Sequence, residues 1–120
     1  MEVLDPAAIE NLRKMVGGDV EFIAELIDTF LEDAPNMLSD MRQALEDGDA
    51  VVLHRAAHSL KSNSAEFGAT TLAEVCRELE KKGKTSALEG ADELLVRAEA
   101  EFTQAKAALE TVRHELGATE

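Results

Sequence analysis

His54-Arg-Ala-Ala-His58-Ser-Leu-Lys61-Ser-Asn-Ser-Ala-Glu-Phe-Gly68-Ala69 reads as a helix with two unlike faces. At about 100° per residue, the preceding Leu53 with Ala57, Leu60, Ser64 and Phe67 falls within roughly 80° of arc, a narrow and mostly apolar seam. His54, Lys61, Ser62 and Ala65 lie within roughly 60° of His58 on a separate face. An imidazole with a lysine one turn later and only small side chains close by describes an exposed nucleophile that something large can approach. A core histidine would sit in the seam.

Working outward from this helix, the breakers divide the chain into five helical patterns. Asp5-Pro6 opens the first, with aspartate as N-cap and proline at the first helical position; Ile9, Leu12 and Val16 are its apolar positions, and Gly17-Gly18 stop it. Asp19 caps a second pattern with the stripe Phe22, Ile23, Leu26, Ile27 and Phe30, continuing through Leu38, Met41 and Leu45 to Asp47-Gly48. Pro35 interrupts it, but the stripe resumes in nearly the same phase, so one bent helix is expected. Asp49 caps the third, which carries His58 and ends at Gly68. Thr70 or Thr71 opens the fourth, and Thr71 with Glu74 fits a capping box; Leu72, Val75, Cys76 and Leu79 form its inner stripe, and Gly83 is expected to end it. The fifth starts near 89–91 and runs to Leu116-Gly117, with Ala91, Leu95, Ala98, Phe102, Ala105, Leu109, Val112 and Leu116 at the four-three spacing of a left-handed bundle seam. Short links make neighbours antiparallel. The expected fold is all-α: an antiparallel up-down four-helix bundle with a short N-terminal capping helix, one domain over residues 1–120.

Composition agrees. The 120 residues include no Trp or Tyr, four Phe and two prolines, so strand-favouring residues are scarce and long stretches lack breakers. No run reaches the roughly 18 apolar residues of a membrane span, and Met1-Glu-Val-Leu-Asp5 lacks the basic and apolar segments of a secretory signal. A single Cys76 has no internal disulfide partner and falls on an apolar helix side, a buried small hydrophobe. A cytoplasmic setting is expected. The net charge of −13 argues against nucleic acid or an anionic membrane as partner. Its distribution is uneven: residues 51–84 hold six Lys/Arg against four acids, and the rest of the chain holds six against twenty-one. The segment around His58 is the non-acidic part of an acidic molecule.

His58-Ser-Leu-Lys61-Ser-Asn-Ser-Ala-Glu-Phe-Gly68-Ala, followed by Leu72, Cys76 and Leu79-Glu80, resembles the signature of histidine-containing phosphotransfer (HPt) domains, the helical carriers of multistep phosphorelays. Phe30-Leu31-Glu32-Asp33-Ala34-Pro35 on the preceding helix is similar too, so the likeness extends over essentially the whole chain. The resemblance implies that His58 is the phosphoacceptor, receiving a phosphoryl group from a receiver-domain phosphoaspartate and passing it to another receiver. Histidine, whose ordinary pKa is about 6.5, offers a neutral imidazole nucleophile at cellular pH. Lys61 is placed to stabilise phosphoryl oxygens as a point charge. Glu80, at an offset where the family commonly carries Gln or Glu, is implied to accept from the imidazole Nδ1–H and leave Nε2 free. His54, Arg55, Ser62, Ala65 and Gly68 are implied to border the docking surface. Ser62 departs from the family pattern, in which many members carry glycine there, but serine is nearly as small. Gly68 also suits a helix end needing φ > 0.

No Gly-rich phosphate loop, nucleotide-binding pattern or acidic Mg²⁺ cluster is present in the sequence. The expectation is therefore a carrier and not an enzyme: no ATP binding, no kinase activity, and no cofactor of its own, with Mg²⁺ supplied by the partner. Expected partners are response-regulator receivers, a hybrid sensor histidine kinase, or both, met by a monomer. The alternative is a helical docking module that binds such a partner without phosphotransfer, against which the His58–Lys61 pair counts. A histidine-kinase dimerisation region fits less well, since Ser59 and not an acid follows His58. Metal binding by His54 and His58 lacks a third ligand, and a di-iron bundle lacks Glu-x-x-His pairs. His114 reads as a favourable charge near a helix C-terminus.

Overall fold

A computed structural model describes residues 3–118, and among them five helices and no strand: α1 (Pro6–Met15), α2 (Val20–Asp47), α3 (Ala50–Glu66), α4 (Thr70–Thr85) and α5 (Ala91–Ala118). Met1 and Glu2, where the reading of an absent secretory signal begins, lie outside the described residues, as do the last two positions of the 1–120 span. Three of the helices start where an aspartate caps them. Asp5 accepts from the Ala7 N–H at 3.0 Å, Asp19 from Phe22 at 3.1 Å and Asp49 from Val52 at 3.1 Å, each supplying an acceptor to an otherwise orphaned amide.

Helix α4 opens at Thr70, one of the two expected positions, but its capping departs from expectation. The capping box of Thr71 and Glu74 does not form; Ala69 is the N-cap and has no side-chain bond to offer. The three-residue connection explains this. Gly68 takes a left-handed φ of 76°, and the Ala69 N–H bonds back to the Ser64 carbonyl at 2.9 Å, a Schellman-type closure that brings α4 in immediately after α3. Gly83 does not end α4 either. The helix continues to Thr85, and it is Ser86 that turns left-handed, with φ 57°.

The long helices α2, α3, α4 and α5 each pack on two of the others in the cycle α2–α3–α4–α5, and α1 packs on α2 and α3. Connections are two to five residues long. Helix α2 runs unbroken through Pro35 and buries Ile23, Ile27, Phe30, Ala34, Leu38, Met41 and Ala44. Phe22, expected in this stripe, is 46% exposed, because the buried line runs through Ile23 and leaves Phe22 about 100° away. On α5 the four-three pattern is buried at Ala91, Leu95, Ala98, Phe102, Ala105, Leu109 and Leu116, with Val112 half-buried. Phe30 sits between Phe67 and Phe102, at ring-centroid distances of 5.2 and 5.9 Å, joining α2, the α3–α4 turn and α5 through a tilted and an edge-to-face aromatic contact. Arg113 grips Asp28 with two bonds of 2.6 and 2.9 Å across α2 and α5, and this contact holds the Asp28 carboxyl below its ordinary range.

Among the described residues, one buried side-chain polar atom is unmatched. Ser64 is fully buried and its hydroxyl has no hydrogen-bond partner. An orphaned buried hydroxyl costs about 1–3 kcal/mol, so Ser64→Ala is expected to raise stability by about 1 kcal/mol in urea unfolding. A loss of stability instead would mean that the hydroxyl does useful bonding in the native state.

Candidate functional site

The phase of α3 decides where His58 points. Leu53, Ala57, Leu60 and Ser64 are all fully buried, so the opposite arc faces solvent, and the His58 side chain is 59% exposed. Ser62, Ala65 and Arg55 are exposed around it, and His54 is half-buried. The His54 ring lies nearly parallel to that of His58, with centroids 6.4 Å apart and planes at 15°, as expected for positions four apart on a helix. Gly68 is different. It is buried beneath the start of α1, where its carbonyl accepts from the Asp5 N–H at 2.8 Å. A Cβ on Gly68 would meet the Ala8 Cβ and the Asp5 backbone at 2.8 Å. The expectation of Gly68 as a docking contact therefore gives way to a packing role: it lets α1 seat on the α3–α4 turn.

Helix α4 contributes the third member of the site. Its inward stripe Leu72, Val75, Cys76 and Leu79 leaves Glu80 on the edge nearest α3, with a side chain only 14% exposed. One carboxylate oxygen of Glu80 accepts from Lys61 Nζ at 2.7 Å, and the other is hydrogen-bonded to His58 Nδ1. Lys61 was expected to stand ready for phosphoryl oxygens; in the folded chain its ammonium is already paired. That hydrogen bond from Lys61 is the main reason the Glu80 carboxyl is held below its ordinary range. The contact with His58 helps, and burial works in the opposite direction.

An ionised Glu80 has consequences for the imidazole. A carboxylate only accepts, so Nδ1 must carry the proton and donate it. In the neutral ring the lone pair is then on Nε2, the atom not engaged by Glu80. The carboxylate also sits where positive charge appears on the ring if Nε2 forms a bond to an electrophile. The neighbouring thiol does not compete: burial, with the Glu80 charge adding to it, pushes Cys76 up to about 12, so it remains a shielded thiol. Beside Lys61, a groove of about 340 Å³ opens between α1, α3 and α4, with Ala7, Ala8, Ala65, Ala73 and Arg77 among its walls. No group of three or more His, Cys, Asp or Glu placed to hold a metal occurs among the described residues. No helix of the described residues is long and apolar enough to cross a membrane.

The Hpt domain family model matches residues 25–115. The chain belongs to the Hpt domain family. Phosphorelay protein LuxU of Vibrio harveyi is 30% identical over 88 residues, which make up 73% of this chain and 75% of LuxU. Multistep phosphorelay regulator 1 of Schizosaccharomyces pombe is 28% identical over 90 residues, 74% of this chain. The match spans only 30% of that regulator's length. Among solved structures, histidine-containing phosphotransfer protein B (HptB) from Pseudomonas aeruginosa PAO1 superposes with a TM-score of 0.87 at 31% identity, covering 94% of this chain and 96% of that one. The all-helical architecture is thus that of an Hpt protein.

Sequence reasoning missed one residue at this site. Gly83 was read as a terminator because glycine commonly ends helices. In the fold it is buried within the last turn of α4, facing α3. The available signal was that it continues the inward spacing of Val75, Cys76 and Leu79, which a terminator has no need to do.

Proposed function

We propose that the chain is a phosphoryl-group carrier of a multistep phosphorelay, with His58 Nε2 as the acceptor atom. The single observation carrying this reading is the exposed His58 ring whose Nδ1 is committed to Glu80. The Nε2 lone pair attacks the phosphorus of a receiver's phosphoaspartate, the N–P bond forms, and the P–O bond to the aspartate breaks with the electron pair leaving on the carboxylate. The phosphorylated ring keeps its Nδ1 proton and is a cation, which Glu80 stabilises at close range. Lys61, one turn away, is within its own reach of both Glu80 and the incoming phosphoryl group, so it is the residue to neutralise oxygens on the transferred group. Transfer to a second receiver is the same step in reverse.

The partner's catalytic residues and Mg²⁺ supply the rest of the transition-state stabilisation, and the chain itself acts without nucleotide or cofactor. The cycle of packed helices is read as an antiparallel up-down four-helix bundle capped by α1, forming one domain that works as a monomer in the cytoplasm. Arg55, Ser62 and Ala65, with His54 at the edge, are the exposed positions around the ring and form the proposed docking surface for a receiver or the receiver of a hybrid sensor kinase. The test mixes the purified chain with a panel of radiophosphorylated receiver domains. Label that resists alkali and is released by acid is expected on the chain, and none from radiolabelled ATP alone. If no receiver in the panel gives up its label, the carrier reading fails.

A further inference from the structure

Gly83 has no conformational reason to be glycine. Among the described residues, positive φ values occur at Gly17, Gly18, Gly48, Gly68 and Gly90 and at one non-glycine, Ser86, but not at Gly83. Alanine in such a helical position is favoured over glycine by about 1 kcal/mol in a helix interior. What alanine lacks is space. A Cβ on Gly83 would lie 2.6 Å from the His54 nitrogen, 2.8 Å from the His54 Cα and 2.9 Å from the Ala50 carbonyl oxygen. All three are backbone atoms of α3, so no rotamer change relieves the overlap, and the two helices would have to separate.

The location of this contact matters. His54 is one helical turn before His58, and Gly83 is one turn after Glu80, so the backbone contact lies next to the His58–Glu80 pair. At the other end of the two helices, the turn at Gly68 already ties α3 to α4. Glu80 must reach His58 on one oxygen and Lys61 on the other. Hydrogen bonds of this kind tolerate donor–acceptor distances up to about 3.2 Å, so a separation of about 1 Å breaks them. We propose that Gly83 is a positioning residue: its missing side chain lets α4 approach α3 closely enough for Glu80 to hold the Nδ1 proton of His58. Its meaning for transfer rests on the carrier reading above; its effect on the imidazole does not.

The test compares Gly83→Ala with two controls in α5: Gly117→Ala, where an added Cβ meets nothing within 4 Å, and the core truncation Leu109→Ala, which is expected to lower stability from a helix that does not pack directly on α3. Long-range ¹H–¹⁵N imidazole spectra across a pH titration report the His58 tautomer, and label transfer reports the rate. For Gly83→Ala, a shift of neutral His58 from Nδ1–H towards Nε2–H is expected, with transfer slowed about 10-fold, equivalent to roughly 1.4 kcal/mol. Both controls should keep the wild-type tautomer. A folded Gly83→Ala chain with the wild-type tautomer population overturns the proposal. So does failure of that variant to fold, which would make the contact a condition of the whole fold. If wild type accepts label from no receiver, the carrier reading fails while the spectra still decide the role of Gly83.

Discussion

Replacing His58 by glutamine is expected to abolish phosphoryl uptake from receivers while leaving stability within about 0.5 kcal/mol of wild type. The chemical half of this expectation follows from the atom involved. An imidazole with its proton on Nδ1 presents an unshared pair on Nε2, whereas the nitrogen pair of a carboxamide is delocalised into its carbonyl and does not attack phosphorus. The structural half follows from exposure. The His58 side chain is 59% exposed and lies outside the α3 seam, and glutamine retains a donor for Glu80. Thermal unfolding alongside the label-transfer assay separates the two halves. Label retained by the variant would move the acceptor elsewhere, with the adjacent His54 ring at 6.4 Å the first place to look. A variant that unfolds would contradict the exposed placement of His58.

The second large effect is expected at Glu80. Glu80→Gln keeps the shape but removes the negative charge, so Nδ1 loses its strong acceptor and Lys61 loses its counterion in a half-buried position. Groups that orient a metal-bound histidine through its second nitrogen typically contribute about 10–100-fold, and by analogy a fall of about that size in the transfer rate is expected here. A rate within about 2-fold of wild type would remove Glu80 from the mechanism, since that is barely 0.4 kcal/mol. The same substitution has a pH signature. The folded-state pKa of Glu80 is depressed below the ordinary value of 4.5. The stabilisation linked to that shift is therefore present above the unfolded-state pKa and is lost as pH falls through the lower folded-state one. The difference in unfolding free energy between wild type and Glu80→Gln should be largest near neutrality and shrink below pH 4.5. A difference that grows with acid would show that the carboxylate is not the stabilised form.

Much of this chain was legible because the decisive interactions are local. The aspartates at 5, 19 and 49 bond to amides two or three residues ahead, so their sequence context contains everything that sets the helix starts. The exposure of His58 follows from the 3.6-residue period applied to Leu53, Ala57, Leu60 and Ser64. Where a second element intervenes, local reasoning loses its hold. Thr71 and Glu74 have the spacing of a capping box, but the tight turn at Gly68 makes Ala69 the N-cap and starts α4 at Thr70 instead. Phe22 is apolar and adjacent to the stripe, yet which of two neighbouring lines is covered depends on where the other helices lie.

The sequence alone therefore determined that this chain is helical, that His58 stands on an exposed face beside Lys61, and that the motif around them is of the Hpt kind. Only the tertiary structure decided what those groups do to one another. Glu80 is nineteen residues beyond Lys61, and its bonds to Lys61 and His58 exist only because α4 folds back against α3. The same crossing gives Gly83 its close contact with the His54 backbone, and the seating of α1 on the α3–α4 turn covers Gly68. Periodicity and capping act within a turn or two of chain, whereas the distance between two helix backbones is set by side-chain volumes from both.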